Sequence, residues 1–112
     1  MLPKKRRIER KEFECILKTG ERYNSPHLLL YIAKTDAPLS RFSVSISKKI
    51  FKHAVDRNLY RRRGYNSIHT FLPNIIPGFL VFFSFKKGKY PLSFTELHTE
   101  ILYLLKLTRM LL

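Results

Sequence analysis

The clearest signal in the chain is a change of period. Between Arg41 and Ser47 apolar and polar residues alternate strictly, Phe42, Val44 and Ile46 against Ser43, Ser45 and Ser47. That is the two-residue repeat of a strand with one buried face. From about 55 to 71 the period becomes helical: Tyr60, Gly64, Ile68 and Phe71 fall on one side, Asn58, Arg61, Arg62, Tyr65 and His69 on another. A continuous apolar run follows from Gly78 to Phe85, suited to an interior strand covered on both faces. Two strands separated by such a helix make a β-α-β unit, with parallel pairing as the simplest topology.

The flanks complete the outline. Phe13, Ile16 and Leu17 share one face of a short helix that Gly20 stops, and Ser25-Pro26 breaks the segment after it. His27 to Ala33 is β-rich and places Leu29, Tyr31 and Ala33 on one face; residues 35–40 form a turn. Beyond Pro73, Pro77 and a basic turn from Lys86 to Pro91, Ser93 and Glu96 match a capping box. The helix they open carries the stripe Leu97, Ile101, Leu104, Leu105 and Thr108, is expected to run nearly to Leu112, and has Lys106 and Arg109 near its negative end. The expected architecture is a single α+β domain over residues 1–112, an α-β sandwich in the order α-β-β-β-α-β-α.

Charge changes the picture from fold to partner. The chain of 112 residues is 45% hydrophobic, with nine Phe, enough for a real core, yet its formal net charge is +14. Such self-repulsion is tolerated when the partner is acidic, either nucleic acid or anionic lipid. Lipid is the weaker option, because no apolar run approaches the roughly 20 residues that span a bilayer. Lys4, Lys5, Arg6 and Arg7 have no apolar segment behind them, unlike a secretory signal. They form either a frayed, solvated terminus or an arm for phosphates. A single cysteine, Cys15, cannot make an internal disulfide, so a cytoplasmic location is expected.

The basic residues are not spread evenly. Eight lysines and arginines lie between Arg41 and Tyr65 against one acid, Asp56. Ordinary exposed helices interleave both signs, whereas this helix offers donors and a stacking ring together, the combination that nucleic acid asks for. A merely solvated face is the competing reading. The serine face of the 41–47 strand makes a low polar floor with room for a ligand, or else a plain exposed sheet face. Self-contained catalysis is disfavoured: His27, His53, His69 and His98 fall in four separate elements as surface or helix-end residues, and the eight acids are scattered. No metal ligand set and no catalytic residue is expected on this chain.

Ser47-Lys48-Lys49 followed by Ala54-Val55-Asp56-Arg57-Asn58-Leu59-Tyr60-Arg61-Arg62 resembles the "RNR" motif of the bacterial ribonuclease P protein subunit. The likeness extends along nearly the whole chain, from the basic N-terminus and the Phe13 helix through the Tyr31 and Arg41 strands to the final helix. The resemblance implies a sandwich like the second domain of ribosomal protein S5, with a left-handed β-α-β crossover in place of the usual right-handed one. It also implies that the catalytic RNA subunit holds magnesium and cuts the 5′ leader from precursor tRNA, while the protein binds no metal by itself; no obligate protein partner is evident. Lys48, Lys49, Arg57, Asn58, Arg61, Arg62 and Tyr65 would face RNA; Phe13, Leu17, Tyr31, Ser43, Ser45 and Ser47 would line the leader cleft. Arg57 has a rival role, half-buried against Asp56 or a strand-end carbonyl. Tyr65 stands where a basic residue is usual, Leu17 where a second aromatic is common, and Gly64 interrupts the helix, which suggests close helix-sheet approach. A general RNA-binding or ribosome-associated protein and a free-standing nuclease are the two competing classes.

Overall fold

The computed structural model describes residues 2–36 and 38–111. Its elements are α1 (Arg10–Thr19), β1 (Glu21–Asn24), β2 (Leu28–Lys34), β3 (Arg41–Ser45), α2 (Ala54–Phe71), β4 (Phe79–Phe85) and α3 (Phe94–Leu107). The strands form one sheet in the order β1-β2-β4-β3. β3 and β4 are parallel and joined through α2, while β1-β2 and β2-β4 are antiparallel. This is the α+β order and the β-α-β pairing that the periods imply. The turn expected over 35–40 includes Ala37, which lies outside the described residues, as does Leu112.

Alternation decides which face each strand residue serves. Phe42, Val44 and Ile46 enter the main core together with Leu28, Leu30, Ile32, Val81, Phe83 and Phe85, and α2 and α3 cover them with Tyr60, Ile68, Leu97, Ile101, Leu104 and Leu105. α2 comes close because Gly64 lies over Val44: a Cβ on residue 64 would meet Val44 Cγ1 at 3.2 Å. The interior glycine thus trades about 1 kcal/mol of helix propensity for helix-sheet contact. Gly20 serves a similar end after α1, since a Cβ there would stand 2.5 Å from the Ile16 carbonyl oxygen. Its backbone is extended (φ −73°), so the need is for space and not for left-handed torsion.

Four details differ from expectation. β3 ends at Ser45, two residues early, because Ser47 is captured by the next turn: the Lys49 N–H donates to its Oγ at 3.0 Å, and the Ile50 N–H to its carbonyl at 3.0 Å. α3 ends at Leu107, where the Thr108 hydroxyl donates to the Leu104 carbonyl and Arg109 turns left-handed (φ 59°). That left-handed step reverses the chain and sends Met110 into the core. The basic N-terminus is docked: Leu2 is buried, Arg7 pairs with Phe42 along the outer edge of β3, and Arg6 Nη1 donates to the Ser40 carbonyl. Two histidines are internal fasteners. His27 binds Glu100 (Nδ1 to Oε2, 2.6 Å) and the Lys89 carbonyl (2.8 Å), and His98 bonds Ser67 while stacking between Phe71 and Phe94.

Candidate nucleic-acid interface

The second face of the sheet is only partly covered. Strand register sets two rows across it, Arg22–Tyr31–Phe82–Ser43 and Asn24–Leu29–Ser84–Ser45. α1 packs over one end, where Ile16 meets Ala33, Leu80 and Phe82 in a small cluster that Ile8, Phe13 and Tyr31 flank. The Phe13 ring sits edge-on to Phe82 with centroids 4.7 Å apart, and Tyr31, the neighbour of Phe82 across the sheet, meets it edge-on at 5.6 Å. Phe13 and Tyr31 remain partly exposed, and so do Ser43, Ser45 and Ser84. The result is a cleft with an aromatic wall and a hydroxyl floor, whose face carries no carboxylate along either row. Rings that keep a free face can stack on bases, and small hydroxyls admit a strand close to the sheet.

Of the six residues expected in this cleft, four take their places. Leu17 is 58% exposed and stands outside the cluster that seats α1. Ser47 belongs to the turn after β3, for the hydrogen-bonding reason given above. Phe82 is the centre of the aromatic group and was not singled out from the sequence, because it sits in a run that reads as uniformly apolar. Ser84, the only polar residue among 79–85, marks its face: counting back by two reaches Phe82. Arg22, Asn24 and Arg41 were likewise missed as members of the cleft face.

The expected helix face also assembles. Asn58, Arg61, Arg62 and Tyr65 line a shallow groove of about 290 Å³ on α2. Arg61 Nη1 donates to Asn58 Oδ1 at 2.9 Å, which orients the guanidinium along the groove. Arg62 is exposed. Tyr65 has a second attachment: its hydroxyl accepts the Val44 N–H at 3.2 Å, satisfying a donor on the outer edge of β3. Arg57 turns away to the carbonyls of Phe51 (2.8 Å) and Lys52 (2.9 Å), so it fastens the loop that leads into α2 and makes no bond to Asp56. Arg63 is structural as well, bonded to the Leu92 carbonyl and lying 5.4 Å from the Tyr60 ring centre. Lys48 and Lys49 are exposed in the turn, and His69 is exposed on α2 outside the groove.

The acids explain why this surface stays positive. Glu9 and Glu12 face Arg41, Glu100 faces His27, Glu96 caps α3, and Glu21 accepts from the Tyr23 hydroxyl. Asp56 sits in the first turn of α2, where the helix dipole favours it. A larger cavity of about 390 Å³ opens beside the end of the sheet that α1 covers, lined by Thr19, Glu21, Tyr23, Lys34, Phe79 and Thr108 among others. Its hydroxyls are already engaged within the chain, and the Glu21 carboxylate raises the Tyr23 hydroxyl above its ordinary pKa by accepting its hydrogen bond. It offers a ligand little that is unsatisfied.

The ribonuclease P family model matches residues 2–109. The chain belongs to the ribonuclease P protein family. It is 33% identical to the ribonuclease P protein component of Microcystis aeruginosa, over 93% of this chain and 91% of that one. The corresponding protein of onion yellows phytoplasma is also 33% identical, over 97% and 79%. Among solved structures, the Staphylococcus aureus RNase P protein superposes with a TM-score of 0.85 at 18% identity, covering 96% of this chain and 98% of that chain. The Thermotoga maritima protein gives 0.79 at 23%, over 89% and 94%. These two likenesses establish the fold. Family membership identifies the chain as a ribonuclease P subunit concerned with tRNA processing and RNA binding. No helix among the described residues is long and apolar enough to cross a membrane.

Proposed function

We propose that this ribonuclease P protein holds the 5′ leader of precursor tRNA in the cleft between α1 and the sheet, and docks on the catalytic RNA through Lys48, Lys49 and the α2 groove. The observation that carries the reading is the pairing of two unlike surfaces on one small domain. One is a cleft whose two sheet rows carry no carboxylate and whose partly exposed rings, Phe13 and Tyr31, pack on Phe82 beside Ser43 and Ser45, fitted to an unpaired strand. The other is a helix face of Asn58, Arg61 and Arg62, fitted to phosphates of a structured RNA.

Cleavage in this reading belongs to the RNA partner. Magnesium supplies the Lewis acid and the activated water when bound by that RNA. Among the described residues no three His, Cys, Asp or Glu side chains gather as a ligand set, so no step is assigned to a metal on this chain. What the protein contributes is binding: stacking on the leader, neutralising phosphates, and raising the affinity of the assembled enzyme for precursors over mature tRNA. Arg57 contributes at one remove, by fixing the 51–52 loop from which α2 departs.

The test is precursor-tRNA cleavage at low magnesium with the protein alone, a bacterial ribonuclease P RNA alone, and both together. The expected result is efficient cutting at the mature 5′ end only when both are present. Cutting by the protein alone would place an active site on this chain. Tight RNA binding without stimulation of the cognate RNA would favour a general RNA-binding role and overturn the reading.

A further inference from the structure

The α1 wall of the cleft is thinly attached. Only Ile16 of α1 is fully buried and Phe13 is half-buried; ahead of the helix Ile8 joins the same cluster and its N–H donates to the Phe42 carbonyl at 3.2 Å, while the first turn itself, residues 10–12, adds no side chain to that cluster. At the start stands a different fastening. Arg41 opens β3 on the cleft face, two residues before Ser43, and its Nη1 donates to Glu12 Oε1 at 2.9 Å and lies 3.4 Å from Glu9 Oε1. The same Glu12 oxygen accepts the Glu9 N–H at 2.9 Å and so closes the capping box of α1. One carboxylate therefore both begins the helix and ties it to the sheet.

The pair is better protected than an ordinary surface ion pair. The side chains of Arg41 and Glu12 are 23% and 18% exposed, whereas Glu9 is 72% exposed and adds only a peripheral contact. Arg41 Nε is buried and finds no acceptor among the described residues. A buried, unsatisfied donor is destabilising, so the guanidinium is held under the helix by the carboxylates and not by a complete set of partners. Glu12 is followed at once by Phe13, the α1 ring that packs on Phe82.

We propose that Arg41 is a positioning residue for the leader: its ion pair with Glu12 and Glu9 holds the first turn of α1, and with it Phe13, at the spacing a single strand needs above Phe82 and Ser43. This rests on the reading of the α1 face as the leader cleft. Arg41 acts through α1; it need not touch RNA.

The full-length protein, assembled with a bacterial ribonuclease P RNA, is tested against a precursor tRNA with a long leader and one whose leader is a single nucleotide. The ratio of the two affinities reads the leader's contribution. Arg41→Ala and Glu12→Gln are each expected to lower that ratio on the order of tenfold. The double variant should lower it no further than either single change. Glutamine keeps the capping acceptor at position 12, so helix initiation survives in that variant. Hydrogen exchange on the free proteins should show faster exchange at the Phe13 amide, which bonds the Glu9 carbonyl, and at the α1 amides after it in both variants, as the helix loosens from the sheet, with β2 and β4 unaffected.

A loss with Arg41→Ala but none with Glu12→Gln would mean that Arg41 meets a phosphate directly, and would overturn the proposal. Additive losses would do the same. If the wild-type protein discriminates nothing by leader length, the leader reading itself fails. The clamp is then judged by exchange alone, and unchanged protection of α1 in both variants refutes it.

Discussion

On one face of the sheet, Phe42, Val44, Phe83 and Phe85 are sealed beneath two long helices; on the other, a single short helix contributes one fully buried side chain, Ile16. The two faces are made by the same four strands and differ only in which alternate residues they present. The first has the close packing that determines stability. The second keeps Phe13 and Tyr31 partly in water and sets hydroxyls beside them, which costs burial and leaves room for a ligand. The comparison teaches that a small domain with one core can leave half a sheet face available for binding, provided the opposite face holds it together. Substitutions on the packed face should therefore act on folding, and those on the open face on RNA.

The sharpest break in that comparison is Phe83→Ala. Phe83 is 1% exposed at the centre of the packed face, and truncating such a ring costs about 3–5 kcal/mol. Most of a small domain's stability would go, read as a large drop in the denaturant midpoint. Gly64→Leu probes the same face by excess. Its side chain would strike Val44 and lift α2 from β3, for an expected loss of about 1–3 kcal/mol. Because α2 also carries the Arg61 groove, catalytic-RNA affinity should fall together with stability. A Gly64→Leu protein of full stability would show that helix-sheet approach is not what residue 64 secures.

The sequence made these two faces unequally legible. Strict alternation over 41–46 assigned the Phe42 and Ser43 sides of β3 correctly, and helical spacing grouped Asn58, Arg61, Arg62 and Tyr65, because each pattern is local and has a single period. Where two periods or distant segments meet, no local pattern marks the contact. β4 is apolar on both sides, so Phe82 was not separable from Phe83 until strand register placed it beside Tyr31 and Ser43. The Arg41-Glu12 contact joins residues in different elements, and the docking of Leu2 and Arg7 depends on an open edge of β3 that only the assembled sheet defines. His27 and Glu100 are 73 residues apart, and neither shows in sequence that it will serve the other.

The margin of the packed face gives a pH test. Tyr90 lies edge-on to Phe51 and Tyr60, and its hydroxyl donates to the Lys86 carbonyl at 2.7 Å. Burial, then the nearby Glu100 and Tyr60, push that hydroxyl up from 10.0 to about 12. The folded protein keeps this proton at a pH where the unfolded chain releases it. The stability contributed is thus complete below about pH 10 and lost as pH rises through about 12. Tyr90→Phe should cost about 1 kcal/mol near neutrality through the lost hydrogen bond, and should flatten the alkaline decline of the unfolding midpoint. An equally steep decline in the variant would assign it to other groups.

Arg61 and Arg62 give the smallest effect on folding and the cleanest separation of the two roles. Both sit on the outer side of α2, Arg62 exposed and Arg61 bonded among the described residues to Asn58, so neither Arg61→Ala nor Arg62→Ala should move the unfolding midpoint measurably. Removing one arginine–phosphate interaction should instead flatten the dependence of log affinity on log salt by about one unit, whatever the RNA sequence. Phe13→Ala gives the converse on the other surface: affinity for a long leader should fall while the salt slope stays, because a stacked ring releases no counterions. If Arg62→Ala left the slope unchanged, the α2 groove would not be a phosphate site. If Phe13→Ala altered the slope as much as an arginine does, the cleft would be binding by charge, and the contrast between a stacking surface and a phosphate surface would no longer hold.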